Sequence, residues 1–89
     1  MDDEALFNSL ITLLRQHGLE SVANDAVDCW NHGEEDAGIG FCASVLLERG
    51  IKPNQDVLRA YGLFARDSAD DGLGFDDTDL NVYEGLKNL

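Results

Sequence analysis

Basic residues are scarce in this sequence. Six lysines and arginines stand against eighteen aspartates and glutamates in 89 residues, which gives a formal net charge of −12 at pH 7. A field of this sign repels nucleic acid and anionic lipid, and it speeds the encounter with basic partners. The composition therefore argues against direct binding to nucleic acid or to a membrane, and it favours a basic protein as the partner.

The sequence also lacks the segments that direct a chain into or across a membrane. No stretch approaches the roughly 18 apolar residues of a transmembrane helix, and the N-terminal MDDE is acidic where a secretory signal is basic. Cys29 and Cys42 form no CxxC pair, and isolated cysteines are typical of reduced thiols in the cytoplasm. We expect a cytoplasmic protein, with a single Cys29–Cys42 disulfide as the alternative.

A calcium loop is the first function to test against the aspartate-rich segment DSADDGLGFDDTDL, residues 67–80. An EF-hand loop has oxygen ligands at its first, third, fifth and twelfth positions and glycine at the sixth. Placing Gly72 at the sixth position puts Ala69 at the third and Thr78 at the twelfth, where a bidentate glutamate is required. We therefore expect no dedicated calcium site.

The sequence also lacks the residue patterns of other catalytic and cofactor-binding sites. A transition-metal site would have to draw on Asp25, Asp28, Cys29, His32 and Cys42. The cysteines fit apolar helix stripes, however, and His32 fits a helix end. The Gly-Leu-Gly at 72–74 lacks the longer glycine patterns that bind phosphate. We expect no metal, no cofactor and no enzymatic activity.

Three cation–glycine pairs divide the chain into helices. His17-Gly18, His32-Gly33 and Arg49-Gly50 each combine a side chain that complements the negative end of a helix with a residue that adopts the left-handed C′ conformation. Between them apolar residues recur at helical spacing, and no segment alternates clearly with period two. The sequence predicts an all-α fold: a small single-domain bundle over residues 1–89, with helices at about 3–17, 19–32, 34–49, 54–67 and 79–88 and an acidic loop before the last helix.

The third predicted helix is apolar on most sides, which places it in the middle of the bundle. Gly38 and Gly40 weaken its first turns or favour close packing against a neighbour. Phe7 and Leu47 lie outside the main apolar stripes, so we expect them to contribute to an exposed apolar patch.

Acids are most concentrated between Arg66 and Lys87, a stretch that contains no base. Leu73, Phe75 and Tyr83 are interleaved with them, whereas a solvated tail is expected to lack large apolar residues. Apolar anchors supply desolvated contact area and carboxylates bind arginine bidentately, so this pattern is typical of a protein-binding segment. The carboxylates predicted to bind a partner are Asp67, Asp70, Asp71, Asp76, Asp77 and Asp79, with Phe75 and Tyr83 as anchors. A second candidate surface consists of Asp25, Asp28, Glu34, Glu35 and Asp36.

These features favour a small acidic inhibitor that binds a basic nucleic-acid-handling protein, such as a nuclease, and occupies the groove meant for phosphates. In size, acidity and helicity the chain resembles the colicin-type immunity proteins, the anti-CRISPR proteins and other nucleic-acid mimics; the resemblance extends to no residue motif. The alternative is a non-inhibitory adaptor or regulatory subunit, or a homodimer, that packs an apolar helical face on its partner. Salt separates the two, because a mimic's association weakens steeply with ionic strength and an adaptor's does not.

Overall fold

The computed structural model describes residues 1–69 and 78–89, and these residues form five α-helices. The helices are α1 (Asp3–Gln16), α2 (Glu20–Asn31), α3 (Glu35–Glu48), α4 (Gln55–Ala69) and α5 (Thr78–Lys87). The predicted all-α fold is confirmed. The predicted acidic loop falls on residues 70–77, which lie outside the described residues. No helix in the described ranges is long and apolar enough to cross a membrane.

The helix ends follow from local sequence. Gly18, Gly33 and Gly50 have φ of +75°, +82° and +71°, and each follows the C-cap residue of the preceding helix. Glycine adopts this left-handed conformation without a Cβ clash, so the three predicted stop signals end helices as expected. The Asn54 side chain caps α4, since its Oδ1 accepts a hydrogen bond from the Val57 amide at 2.9 Å.

Helix α3 lies at the centre of the bundle, as its apolar composition predicts, and it packs against α1, α2 and α5. All five helices contribute side chains to one core. The side chains with at most 1% exposure include Leu6, Leu10, Leu14, Ala26, Ile39, Leu46, Tyr61 and Leu86. The core is therefore continuous across the described chain, and α5 belongs to it.

The predicted exposed patch at Phe7 and Leu47 is wrong. Phe7 is buried and stacks on Trp30, with ring centroids 4.4 Å apart. A methyl group at Gly38 would lie 3.3 Å from Cε1 of Phe7, so the missing side chain of Gly38 makes room for the ring. Leu47 is half-buried against Gly85 of α5. Both residues widen the core because small residues face them, which the apolar stripes alone do not reveal.

Helix α5 rests on α3 and α4 through close contacts at glycines. A methyl group at Gly62 would lie 2.7 Å from Cε1 of Tyr83, and one at Gly85 would lie 2.8 Å from Cδ1 of Leu47. Real Cβ atoms do not approach other atoms so closely, so both sites require glycine or a shift of the neighbouring side chain. We call these contacts, together with those of Asp79 described below, the α5 seat.

Candidate acidic binding surface

The topology brings the beginnings of α1 and α3 and the end of α4 to one end of the bundle. Asp3, Asp36 and Asp67 come from these three helices and line one depression, together with Phe64 and Ser68. At about 210 Å³ the depression is smaller than the roughly 300–1,000 Å³ of small-molecule sites. It therefore suits a side chain of a protein partner better than a small molecule.

Local sequence explains why carboxylates gather at this end. Asp3 and Glu4 occupy the first turn of α1, and Glu35 and Asp36 occupy the first turn of α3. Helix N-termini carry partial positive charge, so acids are stabilised there. Asp2 caps α1, with its Oδ1 accepting a hydrogen bond from the Ala5 amide at 2.8 Å. Two helix beginnings on one side of the bundle thus place their acids together.

We call this surface the acidic end. It is defined by carboxylates at or beside these helix termini: Asp2, Asp3, Glu4, Asp28, Glu34, Glu35, Asp36 and Asp67. All of them are exposed. Within the described ranges the ion pairs are Arg15–Glu20 and Glu84–Lys87, so no carboxylate of the acidic end has an ion-pair partner there. Apart from Asp2, whose carboxylate caps α1, these side chains are available to a basic partner.

The opposite end of the bundle has balanced charge. It contains four of the six bases and four acids: Arg15, Arg49, Lys52 and Lys87, with Glu20, Glu48, Asp56 and Glu84. Of the other two bases, Arg66 lies in the last turn of α4, at the acidic end. Lys87 contacts Glu84 at 3.1 Å, and the Lys52 ammonium donates to the Lys87 carbonyl at 3.1 Å. The net negative charge is therefore distributed unevenly along the bundle.

The second predicted surface, between α2 and α3, is exposed throughout, since Asp25, Asp28 and Glu34 to Asp36 all face solvent. The structure brings it beside Asp67 of the first predicted surface through the shared depression. Of the remaining residues in the first surface, Asp70, Asp71, Phe75, Asp76 and Asp77 lie outside the described residues.

Asp79 and Tyr83 have roles within the fold that the sequence did not indicate. The Tyr61 hydroxyl, on a side chain that is 1% exposed, donates a hydrogen bond to Oδ1 of Asp79 at 2.7 Å. Burial raises the pKa of Tyr61, and the Asp79 carboxylate raises it further, so the hydroxyl remains a donor. Tyr83 is half-buried with its ring against Gly62. Both predicted partner residues thus belong to the α5 seat.

Asp2, Asp3 and Glu4 were missed as candidate residues. The sequence offered one signal, because three acids open the first predicted helix. Placing them beside Asp36 and Asp67 required the relative directions of α1, α3 and α4. Those directions depend on long-range packing.

The cysteines and histidines that were considered as metal ligands have other surroundings in the structure. In the ranges 1–69 and 78–89, no three His, Cys, Asp or Glu side chains group closely enough to hold a metal ion. His32 follows α2, and its Nδ1 lies 2.7 Å from the carbonyl oxygen of Asp28. Burial raises the pKa of the Cys42 thiol to about 12, so the thiol is protonated at neutral pH.

Comparisons with known proteins place no further constraint on this surface. No protein-family model, curated protein or solved structure matches the chain.

Proposed function

We propose that this protein is a small acidic inhibitor that binds a basic nucleic-acid-handling protein and blocks its phosphate-binding groove. The observation that carries the proposal is the gathering, at the acidic end, of exposed carboxylates that have no ion-pair partner among residues 1–69 and 78–89. A nucleic-acid groove is lined by lysine and arginine, which bind phosphates through charge and hydrogen bonds. Carboxylates at the acidic end would take the positions of those phosphates.

The depression at Asp3, Asp36 and Asp67 supplies the geometry for one such contact. Carboxylates on three different helices surround it, and Phe64 contributes an apolar wall. An arginine of the partner could bind a carboxylate bidentately, and charge-assisted hydrogen bonds of this kind are about twice as strong as neutral ones. Because three rigid helices hold these acids, binding would require little ordering of the backbone.

The uneven charge also favours one orientation of approach. The acidic end lies at the opposite end of the bundle from Arg15, Arg49, Lys52 and Lys87. A basic partner would attract the acidic end and repel these bases, so the complex would form end-on. Electrostatic steering of this type raises association rates and is strongly weakened by salt.

The second candidate is an adaptor that binds through apolar contact, and one observation favours it. Leu63 is 54% exposed on the outer side of α4 and lines a depression with Met1 and Ala60, beside the charged side chains of Asp56 and Arg59. Phe7 is buried and Leu47 is half-buried, so this surface takes the place of the exposed patch predicted there. The adaptor predicts that Leu63→Ser abolishes partner binding and that salt barely affects it.

Affinity capture from host extract tests the inhibitor proposal. The bait would be the wild-type protein and the variant Glu35→Gln/Asp36→Asn/Asp67→Asn, which removes three charges from the acidic end. The matched control, Glu48→Gln/Asp56→Asn/Glu84→Gln, removes three charges from the opposite end. We expect the wild type and the control to retain a nuclease or nucleic-acid-binding protein at about 0.01 M salt, where the Debye length is roughly 30 Å, and to lose it near 1 M.

The same partner should bind the acidic-end variant at least tenfold more weakly, which corresponds to about 1.4 kcal/mol. Inhibition is then measured as loss of the partner's nucleic-acid binding or cleavage. Equal capture by the acidic-end variant and the wild type would contradict the proposal. Capture that resists salt and depends on Leu63 would support the adaptor instead.

A further inference from the structure

Helix α5 is the shortest of the five helices in the described residues. It is ten residues long, and in the described chain it packs only against α3 and α4. Isolated helices of this length are not stable in water, so α5 remains helical because the groove between α3 and α4 holds it. Helices α1 and α3 each contact three other helices, whereas α2, α4 and α5 each contact two, and α5 is the shortest of these three.

A polar contact joins its first turn to α4. The Tyr61 hydroxyl donates to Oδ1 of Asp79 at 2.7 Å, and this carboxylate also lies against α3, where a methyl group at Gly40 would be 3.1 Å from the same oxygen. The Asp79 side chain thus contacts both walls of the groove at the start of α5. Hydrogen bonds to charged acceptors are among the stronger side-chain contacts.

The rest of α5 is held by apolar contacts at the glycines and by a hydrogen bond to the Lys87 carbonyl. Tyr83 lies on Gly62, Leu47 lies on Gly85, and Lys52 donates to the Lys87 carbonyl at 3.1 Å. Val82 and Leu86 are the residues of α5 that reach the buried core. Few large side chains would have to leave the core for α5 to detach, so detachment requires less free energy than unfolding α1 to α3.

We propose that α5 is a strap, a unit that detaches as a whole from the groove between α3 and α4 while α1 to α4 stay folded. The hydrogen bond between Tyr61 and Asp79 is its latch. Detachment uncovers an apolar groove that includes Tyr61, Gly62 and Leu47, and it frees the Asp79 carboxylate. The strap is independent of the inhibitory function proposed above, because it depends only on contacts within the chain.

Native-state hydrogen exchange of the full chain tests the strap. In the wild type, we expect the amides of residues 82–87 to exchange faster than those of Leu10 and Leu14, and with weaker dependence on denaturant. Opening of a small unit exposes little surface, so its exchange responds weakly to denaturant. If both groups exchange with the same protection and the same denaturant dependence, α5 opens only by global unfolding and the strap is ruled out.

Two tyrosine variants test the latch. Tyr61→Phe removes the hydroxyl that binds Asp79, and Tyr83→Phe removes a hydroxyl that has no hydrogen-bond partner in the described chain. We expect exchange of residues 82–87 to become roughly tenfold faster in Tyr61→Phe, the change typical of losing a hydrogen bond to a charged group. Tyr83→Phe should change it by less than about twofold. Unchanged exchange in Tyr61→Phe, or an equal effect of both variants, would overturn the latch.

Discussion

The acidic end and the α5 seat hold aspartates in opposite ways. At the acidic end, Asp36 and Asp67 are exposed and have no ion-pair partner in the described residues. At the α5 seat, Asp79 accepts a hydrogen bond from a buried tyrosine and lies against Gly40. The same residue type thus serves as a free surface charge in one region and as a packing contact in the other.

This difference shows that the carboxylates of the chain have different roles in different regions. Carboxylates that make no contact can be changed with little effect on the fold, so they are available for a binding function. A carboxylate whose partner is buried cannot be changed freely, because its loss leaves a polar group unsatisfied. The two regions should therefore respond to substitution with effects of different size and sign.

The largest effect is expected at the α5 seat, for Gly62→Ala. The added methyl would lie 2.7 Å from the Tyr83 ring, and overpacking of this kind destabilises by about 1–3 kcal/mol. Alanine recovers about 1 kcal/mol of helix propensity in α4, so we expect a net loss of up to about 2 kcal/mol in the free energy of unfolding. Urea denaturation followed by circular dichroism measures it.

A double-mutant cycle is the control for Gly62→Ala. In a Tyr83→Ala background the ring is absent, and Gly62→Ala should then stabilise α4 by about 1 kcal/mol through helix propensity alone. A loss of stability in both backgrounds would show that the contact with Tyr83 is not the cause. The α5 seat would then be less tightly packed than its distances indicate.

The free energy of unfolding should depend on pH in the alkaline range because the Cys42 thiol is buried. Burial raises the pKa of this thiol from its usual 9.0 to about 12. Below pH 9 both the folded and the unfolded chain keep the proton. Above it the unfolded chain loses a proton that the folded protein retains, so stability falls as pH rises from about 9 towards about 12.

Between pH 8 and 10 this decrease should amount to about 1 kcal/mol. Urea denaturation at both pH values measures it in the wild type, in Cys42→Ala and in Cys29→Ala. The Cys42→Ala variant should lose this part of the pH dependence, whatever its absolute stability, and Cys29→Ala should keep it. A pH dependence that is identical in Cys42→Ala and the wild type would contradict the assignment.

The helices of this protein could be predicted from the sequence because their signals are local. His17-Gly18, His32-Gly33 and Arg49-Gly50 end helices through the conformation of single glycines. The contacts between helices could not be predicted in the same way. The burial of Phe7 depends on Gly38, thirty-one positions away, and apolar periodicity indicates a face without indicating what lies against it.

The candidate site could likewise be predicted only where its signals are local. The exposure of Glu34, Glu35 and Asp36 follows from their position at the start of α3. Their proximity to Asp67 and Asp3 depends on the directions of three helices, which no local pattern gives. Asp79 looked like its acidic neighbours in sequence, and only the position of Tyr61 distinguishes it.

The smallest effect, and the most direct test of the acidic end, comes from two substitutions in α4. Asp56 lies in the first turn of α4, where the helix dipole favours negative charge. Asp67 lies in the last turn, where the dipole disfavours it, and it lines a depression with Asp3 and Asp36. We expect Asp56→Asn to destabilise the protein and Asp67→Asn to stabilise it, each by about 0.5 kcal/mol.

The two variants are matched controls for each other, because they make the same substitution at exposed positions of one helix. Thermal unfolding at low ionic strength should therefore shift in opposite directions, by roughly 2–4 °C for a domain of this size. Near 1 M salt both shifts should shrink, since exposed charges are then screened beyond roughly 3 Å. Shifts of the same sign would mean that the depression does not concentrate negative charge, and the acidic end would lose the feature that distinguishes it from the opposite end.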